Sequence, residues 1–389
     1  MAIVPPTRIL LGPGPSNVHP RVLRALSMPL IGHLDPAFIA LMEETKHLLR
    51  ATFRTANALT LPISATASAG MEACLVNLLE PGETAIICVN GVFGTRMVDI
   101  AERCGASVVL VEAPWGHVIE PEAVERALRD AGQAKVVALV HAETSTGAWQ
   151  PLEEIARLVR AADALFVVDA VTSLGGCPVL VDQWMIDACY SGTQKCLSGP
   201  PGLSPLTFGP RAVEALRGRR SKVQSWYLDL SMIERYWGEE RVYHHTAPIS
   251  MNYALLEALR LIEEEGLEAR WARHERHHQA LKAGLAAIGI GLHAEEGHQL
   301  WTLNSIRIPD GVDDAAVRSA LLELFGLEIG GGLGPLKGQV WRLGLMGESS
   351  TEANVLLALS ALERVLPRCG YAVNAGAAVE AAARRLAGA

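Results

Sequence analysis

Apolar positions along the chain follow two alternating patterns. Between about residues 56 and 209, short apolar runs rich in β-branched side chains recur at Thr84 to Val89, Ser107 to Glu112, Val136 to His141, Leu165 to Asp169, Ala188 to Ser191 and Leu206 to Phe208. Runs of this length without polar alternation suit strands covered on both faces. Stretches with a helical repeat separate them. Glu120 to Ala131 begins with a Pro-Glu pair, and Leu152 to Ala161 follows Gln150-Pro151, placing proline where a first helical turn tolerates it. The alternation predicts an α/β fold with a mostly parallel central sheet and helices on both faces, with ligands beyond the carboxyl ends of the strands.

The second half of the chain reads differently. Asn252 to Glu265 and Leu267 to Ile288 have the repeat of two long helices broken at Gly266, a plausible bridge to a second unit. Trp301 to Ile308 alternates like a half-buried strand, Asp314 to Phe325 has a helical repeat, and Val340 to Leu345 reads as another strand, making a smaller α+β unit. The alanine-rich stretch beyond Gly370 reads as a surface helix or a frayed end. Four segments are expected: an N-terminal arm over 1–20, a large domain over 21–265, a small C-terminal domain over 266–370 and a tail over 371–389.

Length and composition add bounds. A chain of 389 residues, half hydrophobic and a fifth charged, has the makeup of a folded protein of roughly two to three domains. The net charge of −8 offers nothing to phosphate backbones, and the one basic run, Arg217 to Lys222, reads as a solvated loop, so no nucleic-acid partner is expected. Seven cysteines without a Cys-x-x-Cys pair suggest neither a disulfide framework nor a zinc site. With no signal-like N-terminus and no apolar stretch of ~18 residues, a cytoplasmic protein with no membrane partner is expected.

Candidate chemistry gathers at two strand ends. Tyr190-Ser191-Gly192-Thr193-Gln194-Lys195 puts a lysine just after an apolar strand and a glycine-containing turn. Burying an ammonium is costly and lowers its pKa, which suits an amine that attacks a carbonyl. Asp169 ends the run Leu165 to Asp169, on the ligand-binding edge of such a sheet. One crossover separates the two, so their strand ends can be neighbours. Each residue alone has an ordinary reading, the Asp as a turn or cap and the Lys as a surface charge; pattern alone leaves the choice level. His274, His277 and His278 have a helical spacing that suits a metal. Among Arg273, Glu275 and Arg276 they read instead as a solvated face, and the pair His244-His245 has no further ligand at metal spacing, so no metal site is expected.

A longer set of motifs, in order along nearly the whole chain, carries a family resemblance. These are Leu11-Gly12-Pro13-Gly14-Pro15-Ser16-Asn17, Asn90-Gly91-Val92-Phe93-Gly94, His141-Ala142-Glu143-Thr144-Ser145-Thr146-Gly147, Val168-Asp169-Ala170-Val171-Thr172-Ser173-Leu174-Gly175-Gly176, Ser191-Gly192-Thr193-Gln194-Lys195, Tyr243-His244-His245-Thr246, Gly331-Gly332-Leu333-Gly334-Pro335 and Arg342-Leu343-Gly344. Together they resemble the class V aminotransferases of pyridoxal-phosphate fold type I, in particular the alanine–glyoxylate and serine–pyruvate aminotransferase group.

The resemblance implies a role for each matching residue. Lys195 would carry pyridoxal 5'-phosphate as a Schiff base and move the substrate's α-proton. Asp169 would face the pyridine nitrogen, Val171 would sit with the cofactor-binding residues, and the Phe93 ring would stack on the cofactor. Thr144 would lie near the phenolic oxygen and the substrate. Thr66, Ala67 and Ser68, opening a helix over Ala69 to Leu79, would cradle the phosphate with backbone N–H groups, although the family's common Ser-Gly-His is absent here. Gln194 would add a phosphate contact. Tyr243 and Thr246 would reach the phosphate of the other subunit, which implies a homodimer. Arg342 would clamp a substrate carboxylate through two parallel hydrogen bonds, and the Gly12 to Asn17 loop, with Gly14, would close over the substrate.

The implied reaction is a ping-pong transamination of alanine, serine or glycine with glyoxylate or pyruvate. Alternatives on the same fold are pyridoxamine–pyruvate and (S)-ureidoglycine–glyoxylate transamination. A lyase or desulfurase is disfavoured, because Cys369 lies near the tail without an evident loop. A cofactor-free binding protein is at odds with the set Asp169, Lys195 and Arg342.

Overall fold

The computed structural model describes residues 3–388. Seven strands form the central sheet: β1 Leu59–Ile63, β2 Thr84–Val89, β3 Ser107–Glu112, β4 Val136–Val140, β5 Leu165–Asp169, β6 Ala188–Tyr190 and β7 Ser204–Phe208. Their order across the sheet is β1-β7-β6-β5-β4-β2-β3. All neighbouring pairs are parallel except the two made by β7. The fold is therefore α/β with a mostly parallel sheet. The carboxyl ends of β4, β5 and β6 lie side by side, with Val140 opposite Asp169 and Asp169 opposite Tyr190.

The strands are apolar throughout because both faces are covered. Val136, Ala138, Val140 and Val167 join one core cluster, while Val137, Leu139, Phe166 and Val168 join another on the opposite face. β1 was not anticipated, since Pro62 interrupts its short run and proline is disfavoured inside sheets. It sits at the sheet edge, where a missing N–H costs least. β7 begins at Ser204, earlier than the apolar run alone suggests.

A second, antiparallel sheet holds β8 Leu303–Arg307, β9 Gly330–Gly331 and β10 Val340–Gly344 in the order β8-β10-β9. Trp341 and Leu343 pack into the core beneath it, so Arg342 between them faces the other way. Helices Leu267–Ala287, Glu352–Val365 and Ala377–Ala387 pack on one another and share that core with the sheet.

Three expectations change. The residues beyond Gly370 include the helix Ala377–Ala387, whose Ala378, Ala382 and Leu386 are buried, so it is neither frayed nor merely superficial. His274, His277 and His278 are buried rather than solvated: every third or fourth residue of Leu267–Ala287 faces the protein, and these three lie on that face. Each finds a polar partner, Arg270 O, Ser350 Oγ and Asn304 Oδ1 respectively. Within the exposed run Arg217 to Lys222, Arg219 is half-buried and donates to Asn77 O (3.0 Å) and Leu79 O (2.9 Å), satisfying carbonyls at the end of helix Ala67–Leu78.

Candidate active site

A cavity of about 280 Å³ opens at the carboxyl edge of β4, β5 and β6. Nine of the residues singled out from the sequence line it: Thr66, Ala67, Ser68, Phe93, Thr144, Asp169, Val171, Gln194 and Lys195. Arg342 and Gly14 approach Lys195 from outside that lining. Tyr243 and Thr246 do not join it; both are exposed, Tyr243 beside the ring of His33.

Asp169 is held at the end of β5 by two donors, the Val171 N–H (2.8 Å to Oδ1) and the Tyr190 hydroxyl (2.8 Å to Oδ2). Burial pushes its carboxyl up to about 6, while those two hydrogen bonds pull the other way. It is thus mostly ionised at neutral pH, but with a stronger hold on protons than a free carboxyl. Lys195 lies past the end of β6. Burial, and next the nearby Arg342 guanidinium, bring its amine down to about 8. A substantial neutral fraction at physiological pH makes that amine a nucleophile.

The wall opposite comes from the chain's N-terminal loop. Lys195 Nζ donates to Pro13 O, Ser16 N donates to Gln194 O (2.9 Å), and Ser16 Oγ donates to Lys195 O (2.9 Å). Gly14, at φ 111, sits where a Cβ would come within 2.8 Å of Lys195 Nζ, so only glycine allows this approach. Gly192 meets a similar limit, since a Cβ there would stand 2.8 Å from both the Ala67 methyl and Gln194 Oε1.

The other end of the cavity is built for an anion. Thr66 precedes helix Ala67–Leu78 but makes no side-chain cap; the Ala69 N–H donates to Thr66 O (2.8 Å), and the Ala67 and Ser68 N–H groups ahead of it are left to bind an anion. Gln194 Oε1 is buried without a partner; a half-turn of the amide would present its NH₂ to an oxyanion instead. Sequence reading missed Arg96, whose Nη1 donates to Ser68 Oγ (3.1 Å) and whose guanidinium lies 4.9 Å from the Phe93 ring centre. The signal was its spacing, since Phe93 and Arg96 stand one turn apart on helix Val92–Arg103. Phe93 itself is fixed from behind: its N–H donates to buried Glu143 Oε2 (3.1 Å), which also accepts from Ser145 N and Oγ on Oε1.

Arg342 is buried in β10 and makes no ion pair among the described residues. Its Nε donates to Gly331 O (2.7 Å), leaving the outer N–H groups for another acceptor. Burial lowers its proton affinity and the charge of Glu143 opposes this, so the guanidinium remains a cation in search of an anion. Among the described residues, no group of three or more His, Cys, Asp or Glu is arranged to hold a metal ion.

An amine with lowered pKa, a buried carboxylate beyond one end of a slot, and anion donors at the other fit pyridoxal phosphate. Lys195 would hold its aldehyde carbon, Asp169 its ring nitrogen, Phe93 its face, and the Ala67–Leu78 helix start with Gln194 its phosphate.

The comparisons agree. Residues 13–334 match the family model for class V aminotransferases. The structure superposes on the ureidoglycine–glyoxylate aminotransferase of Bacillus subtilis with a TM-score of 0.97, at 44% identity and covering 99% of each chain. The alanine–glyoxylate aminotransferase of a Nostoc species gives a TM-score of 0.93 at 50% identity, over 94% of this chain and 97% of that one. The pyridoxamine–pyruvate aminotransferase of Mesorhizobium loti gives 0.93 at 30% identity, over 97% and 96%. The chain belongs to the class V aminotransferase family and is a pyridoxal-phosphate-dependent transaminase of fold type I.

Proposed function

We propose that the chain moves an amino group between a small amino acid, alanine, serine or glycine, and a small 2-oxo acid, glyoxylate or pyruvate, in a ping-pong exchange. The observation that carries this reading is Arg342, a buried guanidinium with free N–H groups, close enough to Lys195 to depress its pKa. Its fork suits one carboxylate, common to every substrate on both sides of the exchange. Glyoxylate is favoured as acceptor because two of the compared enzymes are named for it.

When bound, pyridoxal phosphate supplies a cationic ring that withdraws electrons from the substrate's α-carbon. Asp169 would place a negative charge beside the ring nitrogen and so keep it protonated. Arg342 orients the substrate carboxylate, and with it the α-C–H bond. Lys195, with its amine brought down to about 8, would serve as the base that holds the substrate's α-proton and hands it back on the same face. Thr144 lies in the same lining, near enough to orient the substrate or the ring hydroxyl. Gly14 and its neighbours, packed against Lys195, would hold the substrate in place beside the amine.

Single-turnover absorbance spectra with alanine, serine, glycine, aspartate and (S)-ureidoglycine test the reading. Rapid bleaching by alanine, serine or glycine is the expected result; a response to aspartate alone would overturn it. (S)-Ureidoglycine is the second reading, favoured by the near-complete superposition on the Bacillus subtilis enzyme. Pyridoxamine–pyruvate exchange is disfavoured by the anion-binding end of the cavity, and copurified phosphate-bearing cofactor would distinguish the two.

The working unit in this reading is a homodimer. Leu30, Trp226, Tyr227, Val242 and Tyr243 are exposed apolar side chains on adjoining segments, tied together by contacts such as His33 with Tyr243. A second copy covering them would carry Tyr243 and Thr246 towards the phosphate end of its neighbour's cavity. The division into a large domain over 21–265 and a small domain over 266–370 is supported by the separation of the seven-stranded from the three-stranded sheet, while the arm over 1–20 and the tail over 371–389 both pack on the small domain, through Ile9–Leu10 beside Leu327–Glu328 and through helix Ala377–Ala387. No helix among the described residues is long and apolar enough to cross a membrane. Seven free thiols, six of them buried, suit a reducing, cytoplasmic setting.

A further inference from the structure

Helix Leu267–Ala287 contacts the loops that follow Asp169, Lys195 and the strand of Arg342 without lining the cavity itself. Arg270, in its first turn, is 5% exposed, and its guanidinium is shared three ways. Nε donates to Gly175 O (2.9 Å), Nη2 to Cys196 O (2.7 Å) and Nη1 to Glu265 Oε2 (2.5 Å). Cys196 directly follows Lys195, and Gly175 lies on the loop that leaves Asp169. One rigid, planar group therefore bridges the two backbone segments that present the amine and the carboxylate.

The same helix reaches the third segment. His274 Nε2 accepts from Gly347 N (2.9 Å), and Arg273 Nη1 donates to Gly347 O (3.1 Å) and Ser350 O (2.5 Å). Gly347 follows β10, the strand that carries Arg342. His274 is fixed as the neutral ring that donates from Nδ1 to Arg270 O (2.7 Å) and accepts at Nε2, so its orientation is locked at both nitrogens. A guanidinium loses heavily on leaving water, and one carboxylate, that of Glu265, returns only part of that loss. Stability alone would be served as well by an apolar side chain of the same length. What an apolar side chain cannot do is hold two loop carbonyls at a fixed separation.

We propose that Arg270 is a positioning residue of the transamination site: it sets the separation of Lys195 from Asp169 and, through its helix, ties both to the strand of Arg342. The proposal rests on the roles of Lys195, Asp169 and Arg342 given above. Displacing either reacting segment by about 1 Å costs on the order of 100-fold in rate. The loss falls on kcat, because no group that touches substrate or cofactor has been removed.

The test compares Arg270→Met, Arg270→Lys and, as a control on the same helix, Arg276→Ala. Arg276 donates to Leu386 O (3.0 Å) and lies 3.5 Å from Glu352, far from the site's loops in its contacts. For each protein, kcat, KM for the amino donor, Kd for pyridoxal phosphate, Tm and the pH midpoint of the bound-cofactor absorbance are measured. R270M is expected to lose about 30-fold or more in kcat with KM and Kd within about threefold, and to shift the pH midpoint, which senses the Lys195 to Asp169 spacing. R270K, which keeps the charge but cannot span both carbonyls, is expected to recover Tm more than kcat. R276A should lower Tm and leave kcat and the midpoint unchanged. If R270M does not fold, R270K decides by the same split. A kcat and pH midpoint equal to wild type in the folded variants would overturn the proposal alone. Wild-type protein on which borohydride traps no cofactor at Lys195 would instead overturn the underlying site reading, and the proposal with it.

Discussion

At the scale of single residues, the pairing of Asp169 with Tyr190 is the contact that sequence reading could not supply. Asp169 and Lys195 were legible because each is a charge placed just after an apolar strand. Tyr190 looked like one more core residue, and its role appears only when β5 and β6 are set in register, with the two residues opposite each other. Its hydroxyl donates to Asp169 Oδ2, and hydrogen bonds to a charged acceptor are worth about 1.5–3 kcal/mol. Tyr190→Phe should therefore raise the Asp169 pKa above about 6 and reduce kcat/KM by roughly 10- to 100-fold, read from steady-state kinetics across pH. The Lys195 pKa is also held down, by burial and then by a neighbouring charge rather than by a hydrogen bond. Arg342 helps to depress its pKa to about 8, so Arg342→Met should let it rise. A neutral amine then appears only at higher pH, and borohydride trapping of pyridoxal phosphate, followed by mass spectrometry against pH, should show its midpoint moving upward. An unmoved midpoint would mean that the two groups do not sense one another.

At the scale of elements, periodicity was a good guide wherever a run had one clear face. The strands β2, β3 and β5 have the bounds their apolar runs predict, as does helix Asp314–Phe325. The guide failed where chemistry and burial disagree. The histidines of Leu267–Ala287 look like part of a polar face, yet they are the inner face, made tolerable by partners that lie far away in sequence. The C-terminal stretch failed for a related reason, since alanine alone does not say whether a helix has something to pack on. Here it does: a Cβ at Gly284 would come within 2.8 Å of Ala378 O, so the helices approach at nearly backbone distance. Leu386, 5% exposed, is the largest anchor of that contact. Leu386→Ala should cost about 2 kcal/mol, towards the low end for a buried leucine because the terminus can relax, and should lower Tm with kcat unaltered. Gly284→Ala should be worse, because backbone rather than a flexible side chain must yield.

At the scale of the whole molecule, the exposed apolar segments around Trp226 and Tyr243 give the assembly its own test. Light scattering should report twice the chain mass of 41.6 kDa. Trp226→Glu should favour the monomer and weaken pyridoxal phosphate binding together, since Tyr243 and Thr246 serve the neighbouring cavity in this reading. A monomeric variant with unchanged cofactor affinity would remove those two residues from the site. Substrate choice and subunit arrangement stay least legible in a single sequence, because both depend on surfaces whose neighbours lie in another molecule.

The site is assembled from Gly14, Lys195 and Arg342, drawn from the beginning, middle and far end of the chain, and the edge strand β1 pairs with β7 only after the other five strands of the sheet have been made, Ile63 opposite Ser204. Contacts so distant in sequence close late and slowly during folding. Acquisition of the yellow prosthetic group should then lag behind the recovery of helical signal after dilution from denaturant, and a ribosome-bound nascent chain should remain colourless until its last sheet has emerged.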